Sequence, residues 1–247
     1  MFVTFRHQFG HMPPVVAILL LLAGAAAAAD KTITLSKDSV IEIVFVDLKD
    51  AQKDVFFNDY LSKVEPIIES HGGKVKAKFE TFDVVEGDIT PQYVLLLEWP
   101  SVDAFDDTVK DGRADRYLPL REQSTRALNF GLFTILEDAS FTLQEGVVYE
   151  FFAGNPASPK APEMLGQFFQ KVIPTAMEYG RGTLLELKPV DYAGDNYDRM
   201  IAGVATWPSA THFYQFTNTT VFREGVREFR DPALTEQEII NTYFVSE

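Results

Sequence analysis

The chain contains no cysteine among its 247 residues. No disulfide and no thiolate metal site can form, and a lipid-modified N-terminal cysteine is excluded. Histidine is scarce, four in all, and only His71 and His212 lie beyond residue 29. Two are too few for a dedicated zinc site, which takes at least three protein ligands. Positive charge is in short supply as well, with 22 basic against 36 acidic residues and a formal net charge of −14. A chain this acidic lacks the Lys/Arg patches that nucleic acid or an anionic membrane surface would require. No glycine-rich phosphate loop and no supported Ser-His-Asp pattern is present. Neither a cofactor nor a metal is therefore expected, and the expected partner is a small molecule.

Long apolar runs are missing too. The most extended one, residues 15–29, has 15 positions, against the roughly 20 needed to span a bilayer. Arg6, the apolar run at 15–22 and the small-residue stretch AGAAAAAD (23–30) instead have the layout of a secretory signal peptide, with Ala27-x-Ala29 as the cleavage signal. A retained anchor is the rival reading. Cleavage predicts a secreted or periplasmic protein, residues 30–247, with no stable membrane association. Apolar residues make up 46% of the chain and phenylalanine contributes 21, enough for a core to carry stability without cross-links.

What is present is present twice. LLLEWPSVDAF (95–105) and VATWPSATHF (204–213) share an apolar run, Trp-Pro-Ser and the start of a helical pattern, 108 positions apart. After a leader of about ten residues, VIEIVFVD (40–47) reads as a strand. Apolar residues at helical spacing follow over 53–73 and end at Gly72-Gly73. Strands are expected at 74–85 and 92–99, a helix in one or two pieces over 102–128, and a last strand at 130–137. The second half repeats this with strands at 147–154, 183–190, 198–207 and 239–247 and helices at 161–180 and 208–229. Lys63-Val64-Glu65-Pro66 matches Lys171-Val172-Ile173-Pro174 at offset 108, and Glu69 to Gly73 matches Glu178 to Gly182 at offset 109. The expected fold class is α+β: two tandem ferredoxin-like β-α-β-β-α-β units, 30–138 and 139–247 after the signal peptide 1–29, packed sheet to sheet as an intramolecular barrel.

The stretch IIESHGGKV, the Glu-Gly-Asp turn at 86–88 and YVLLLEWPSVDAF resemble the "domain of unknown function 1330" branch of the dimeric α/β-barrel superfamily. The resemblance covers residues 40–137. It implies a sheet-to-sheet barrel and a small-molecule pocket between sheet and helices. It also implies membership of a superfamily that holds cofactor-free monooxygenases, isomerases and haem proteins, so fold alone does not select a chemistry. The second half keeps Trp-Pro-Ser but has Gly180-Arg181-Gly182 for His-Gly-Gly and Ala193-Gly194-Asp195 for Glu-Gly-Asp.

Glu42 and Glu150 stand at equivalent places in the first strand of each half, amid apolar neighbours. A carboxylate there is costly to bury unless paired or protonated, and a raised pKa suits proton transfer. His71 is a further catalytic candidate, although a helix end equally explains it. Glu98, Trp99, Tyr149, Trp207 and His212 are candidates for lining a ligand site, His212 being also the one residue that would serve a haem. The functional expectation is an exported binder of a small apolar or aromatic molecule, in a catalytic version a cofactor-independent oxygenase or isomerase. The alternatives are a non-catalytic assembly module and, as a minor one, a haem-binding protein. A monomeric pseudo-dimer or a homodimer is the expected assembly.

Overall fold

The computed structural model describes residues 30–192 and 197–246. The export signal expected at 1–29 and the Ala193-Gly194-Asp195 turn lie outside the described residues. β1 (Lys31–Leu35) leads into β2 (Val40–Leu48). A π-helical stretch (Val55–Leu61) continues as α1 (Ser62–Ser70), followed by β3 (Lys74–Glu86) and β4 (Tyr93–Trp99). α2 (Val102–Lys110), a 3-10 turn (Asp115–Tyr117) and α3 (Leu118–Ser124) precede β5 (Thr125–Ile135) and β6 (Ala139–Leu143). Then come β7 (Val148–Pro156), α4 (Ala161–Glu178), β8 (Gly182–Pro189) and β9 (Ile201–Trp207). α5 (Ala210–Thr217), α6 (Thr220–Gly225), a second π stretch (Val226–Arg230), α7 (Asp231–Ala233) and β10 (Leu234–Phe244) complete the chain.

Eight strands close into a barrel in the order β10-β3-β4-β2-β5-β8-β9-β7, antiparallel throughout. The four strands from residues 40–135 meet the four from residues 148–244 at two seams, β5 with β8 and β10 with β3. Closure leaves these strands no free edge. The pleat divides each strand between two environments. On β2, Ile41, Ile43 and Phe45 point into the barrel, where they meet Phe79, Phe133, Phe151 and Ile240. Val40, Val44 and Val46 point outward against the helices. Both faces are covered, which is why β2 and β4 read as nearly unbroken apolar runs. The barrel interior is packed; a void of about 10 Å³ beside Phe45 and Phe151 would admit one water at most.

Two strands were not expected. The leader is β1, and it pairs with β6 from Lys31↔Leu143 to Leu35↔Ala139. Ile33, Leu35 and Leu143 join the interior core of the barrel. The second helix of the first half also ends earlier than the expected 128, because β5 takes over at Thr125 and pairs with β2. The cooperative ladder overrides the helical spacing of four residues.

Backbone geometry fixes the correspondence between the halves at 108 through the third strand of each. Val40↔Trp99 and Lys74↔Glu98 in one half match Val148↔Trp207 and Gly182↔Thr206 in the other. The same bulge recurs, between Val75 and Ala77 and between Thr183 and Leu185. Gly72 (φ 84°) and Gly180 (φ 80°) both make a left-handed helix exit. A Cβ on either would sit 2.7 Å from Pro100 Cγ or 2.6 Å from Pro208 Cγ. The offset of 109 read from sequence at this turn is therefore one residue too long. His71 corresponds to Tyr179, and Gly73 corresponds to Arg181. The last strands run one residue later: Leu132 faces Glu42 and Asn241 faces Glu150.

Candidate functional site

A cavity of about 190 Å³ lies outside the barrel, between the sheet of the second half and helices α4 to α6. Phe152, Leu165, Phe168, Val172, Trp207, Phe213 and Phe216 give it an apolar wall. Glu86, Glu150, Arg181, Arg230 and Glu238 are its charged members. α4 presents Leu165, Phe168, Val172 and Ala176 at i, i+3, i+7 and i+11, the helical stripe that buries against a sheet. Trp207 stacks on Phe216 at 5.0 Å and meets Phe213 edge-on at 5.5 Å.

Glu150 projects from β7 toward the helices and accepts a hydrogen bond from Trp207 Nε1 at 2.6 Å. Protein surrounds the carboxyl except where it borders the cavity. Burial pushes its pKa up; the Trp207 hydrogen bond and the charges of Arg181 and Arg230 pull the other way and do not cancel it. Burial likewise lowers the pKa of Arg181, opposed by Glu150. Arg230 is engaged already, bonding Glu86 at 2.6 Å and Asp231 at 2.9 Å. Glu238, 2% exposed, is also pushed up by burial, offset in part by Arg199, whose Nη2 lies 3.3 Å from Oε1.

Glu42 makes the same bond with Trp99, Nε1 to Oε2 at 2.8 Å. What lies over the pair differs. In the first half Phe56, Ile68, Phe105 and Trp99 close into one cluster with Tyr60 packed against it. Gly73 lets the indole approach, since a Cβ there would lie 2.5 Å from Trp99 Cζ3 and 2.6 Å from Ile68 Cγ2. In the second half Ala176 stands where Ile68 does and leaves space that is part of the cavity, and Arg181, standing where Gly73 does, borders it.

The remaining candidates stand elsewhere. Tyr149 is one residue from Glu150 and so on the opposite face. It packs against Phe79 inside the barrel, and its hydroxyl accepts from the Gln144 amide at 2.8 Å. Phe151, on the same face of β7, also points inward, and its neighbour Phe152 reaches the cavity. Glu98 is held by the Ser36 amide, the Ser39 hydroxyl and Lys76 at 2.9–3.0 Å. Burial pushes its carboxyl up, but these three partners outweigh it and hold the pKa below the usual range. His71 ends α1 and bonds Asp111 at 2.6 Å beside Arg113, away from the cavity. His212, in the first turn of α5, bonds Ser209 Oγ through Nδ1 at 2.8 Å. Ser101, the counterpart of Ser209, instead caps its helix by accepting from Ala104 N at 3.2 Å. The wall of the cavity contains no His, Cys, Met or Tyr, so its residues do not fit a haem, whose iron takes an axial ligand of those types.

Arg181, Arg230, Glu238 and Asn241 were not singled out from sequence. Arg181 had a signal, a charged residue where its counterpart is glycine, but the misplaced offset set it opposite Gly72. Asn241 sits in a strand of mixed polarity, LTEQEIINTYF, where only the ladder reveals its neighbour.

The family model of a domain of unknown function, DUF1330, matches residues 43–135. No curated protein matches the chain. Among solved structures, an anthrone oxidase-like protein is similar over 86% of this chain and 94% of its own, at 10% identity and a TM-score of 0.53. A chlorite dismutase variant from Candidatus Nitrospira defluvii covers 83% of this chain and 91% of its own, at 10% identity and a TM-score of 0.48. A protein of unknown function from Rhodopseudomonas palustris covers 42% of this chain and 84% of its own, at 16% identity and a TM-score of 0.35. At 10% identity the likeness to the anthrone oxidase-like protein is one of fold, α+β with a large antiparallel sheet.

Proposed function

We propose that the chain binds a small, largely aromatic molecule in the cavity under α4 to α6 and that Glu150 exchanges a proton with it. The observation that carries this reading is Glu150, a carboxyl of raised proton affinity held by the Trp207 indole at the wall of a largely apolar cavity of about 190 Å³. A dry cavity near 150 Å³ already admits benzene, so this one suits a ring with a small substituent. Glu150 takes a proton from an acidic C–H or O–H of the bound molecule. Returning it at another carbon is an isomerisation; if dioxygen is the co-reactant, it adds to the deprotonated ring instead. In this reading the two halves are divergent copies of one unit, only the second retains a site, and the chain is exported after loss of its first 29 residues. It works as a single-chain pseudo-dimer, and a homodimer of such chains is the alternative assembly.

Native mass spectrometry of protein isolated from its own host tests the reading, with Ala176→Ile as control. The expected result is extra mass from a small molecule, absent in Ala176→Ile, which regains the bulk of Ile68. Bare-chain mass, together with failure of small aromatic probes to bind, overturns it. It then favours the second reading, a structural module, which the packed barrel interior and the filled first half support.

A further inference from the structure

Around Glu150 the second half departs from the first at two positions, Arg181 in the cavity wall and Asn241 across the ladder from Glu150, and each departure adds hydrogen-bonding groups that the protein leaves short of partners. Arg181 stands where Gly73 stands. Its guanidinium, with five donors, makes one side-chain hydrogen bond among the described residues, Nη1 to Thr183 Oγ1 at 3.3 Å, and its charge acts on Glu150 without a close ion pair. Asn241 stands where Leu132 stands, directly across the ladder from Glu150 and on the same face. It is 0% exposed, and neither Oδ1 nor Nδ2 has a hydrogen-bond partner among the described residues. Buried polar groups are normally paired, and leaving them unpaired costs stability. Packing does not ask for either residue, because the first half fills the same places with glycine and leucine.

We propose that the cavity receives an aromatic molecule bearing one acidic oxygen, a carboxylate or an acidic phenol or enol, which accepts hydrogen bonds from Arg181 while its ring lies against Trp207 and Phe216. The inference rests on reading the cavity as a ligand site and adds the chemical class of the ligand. Arg230 cannot take this role, because Glu86 and Asp231 already hold it. Arg181, half-buried at the cavity wall, is the cation with donors to spare, and an anionic oxygen is the partner that suits it. Asn241 is a positioning residue. Its amide offers a donor to a Glu150 carboxylate and an acceptor to the protonated acid, so that Glu150 can change state without leaving a bare group.

The test is fluorine NMR on the whole chain with two probes of similar shape, 4-fluorobenzoate and 4-fluorobenzyl alcohol. The wild type is expected to bind the acid about 10-fold or more tighter than the alcohol, the worth of a charge-assisted hydrogen bond. Arg181→Gln is expected to lose that preference by weakening the acid alone. Asn241→Leu, which restores the first-half residue, is expected to move the midpoint of the pH dependence of acid binding, which a merely structural asparagine would not do. Equal binding of both probes to the wild type, or a preference that survives Arg181→Gln, overturns the inference and leaves the cavity a ligand site. Binding of neither probe overturns both. An unmoved midpoint removes Asn241 from the proposal.

Discussion

The two halves of the ring make the same Glu–Trp hydrogen bond and differ in what covers it. Glu42 and Trp99 are sealed beneath Ile68, Phe105 and Tyr60; Glu150 and Trp207 border a cavity. A bond that recurs where nothing can enter is architectural. It satisfies an indole N–H that burial would otherwise strand. Whatever chemistry the second half performs must come from its departures, a small Ala176, a charged Arg181 and a polar Asn241, set around a carboxylate that both halves share.

Exchanging the glycine and the arginine would break the comparison most severely. Gly73→Arg forces a side chain into Trp99 and Ile68, and an expected loss of about 3 kcal/mol in urea unfolding follows from overpacking. Arg181→Gly, facing the cavity, is expected to cost about 1 kcal/mol or less. Equal losses at the two positions would mean that the second half is packed as tightly as the first.

Protonation sharpens it. Burial raises the pKa of Glu150 above its unfolded value, so the folded state holds its proton longer as pH rises. Stability contributed by this group is full below the unfolded pKa, about 4.3, and is lost as pH climbs through the folded one. Glu150→Gln is expected to flatten the fall in unfolding free energy as pH rises above about 4.3, leaving the part owed to Glu238. A slope identical to wild type would show the carboxyl to be solvated.

Ala176→Ile is expected to gain about 1 kcal/mol by filling the cavity while abolishing probe binding; undiminished binding would put the ligand elsewhere. The smallest contrast is at the helix starts. Ser101→Ala loses a capping bond worth about 1 kcal/mol, whereas Ser209, engaged by His212 and making no capping bond, is expected to cost a few tenths on the same scale. Thermal unfolding of both variants measures this, and a larger cost at Ser209 would contradict the assignment.

Much of the barrel was legible because period and punctuation agree: Gly72 and Gly180, Trp-Pro-Ser twice, and apolar runs between them. β1 and β6 were not, since KTITL and ASFTL are five residues long and their pairing spans more than a hundred positions. The Glu42/Glu150 pair was legible as buried carboxylates in equivalent places. Their bonds to Trp99 and Trp207 were not foreseen, because they cross from one strand to its neighbour. Tyr149 was misplaced by a single step, which in a strand is the whole thickness of the sheet. Arg181 and Asn241 matter only through what their counterparts lack, and a one-residue error in matching the halves was enough to hide that.

The two seams, β5 with β8 and β10 with β3, join sequences that are free to differ. A ring made from two copies of one chain would be bound by its twofold axis to repeat every feature, so a hole opened for a ligand would be opened twice and weaken both sides. Within one polypeptide that obligation is lifted. One half can keep the tight filling that holds the ring shut, while the other gives up bulk and tolerates stranded polar groups around Glu150. Its closure also does not depend on concentration, so the lopsided ring does not fall apart when dilute.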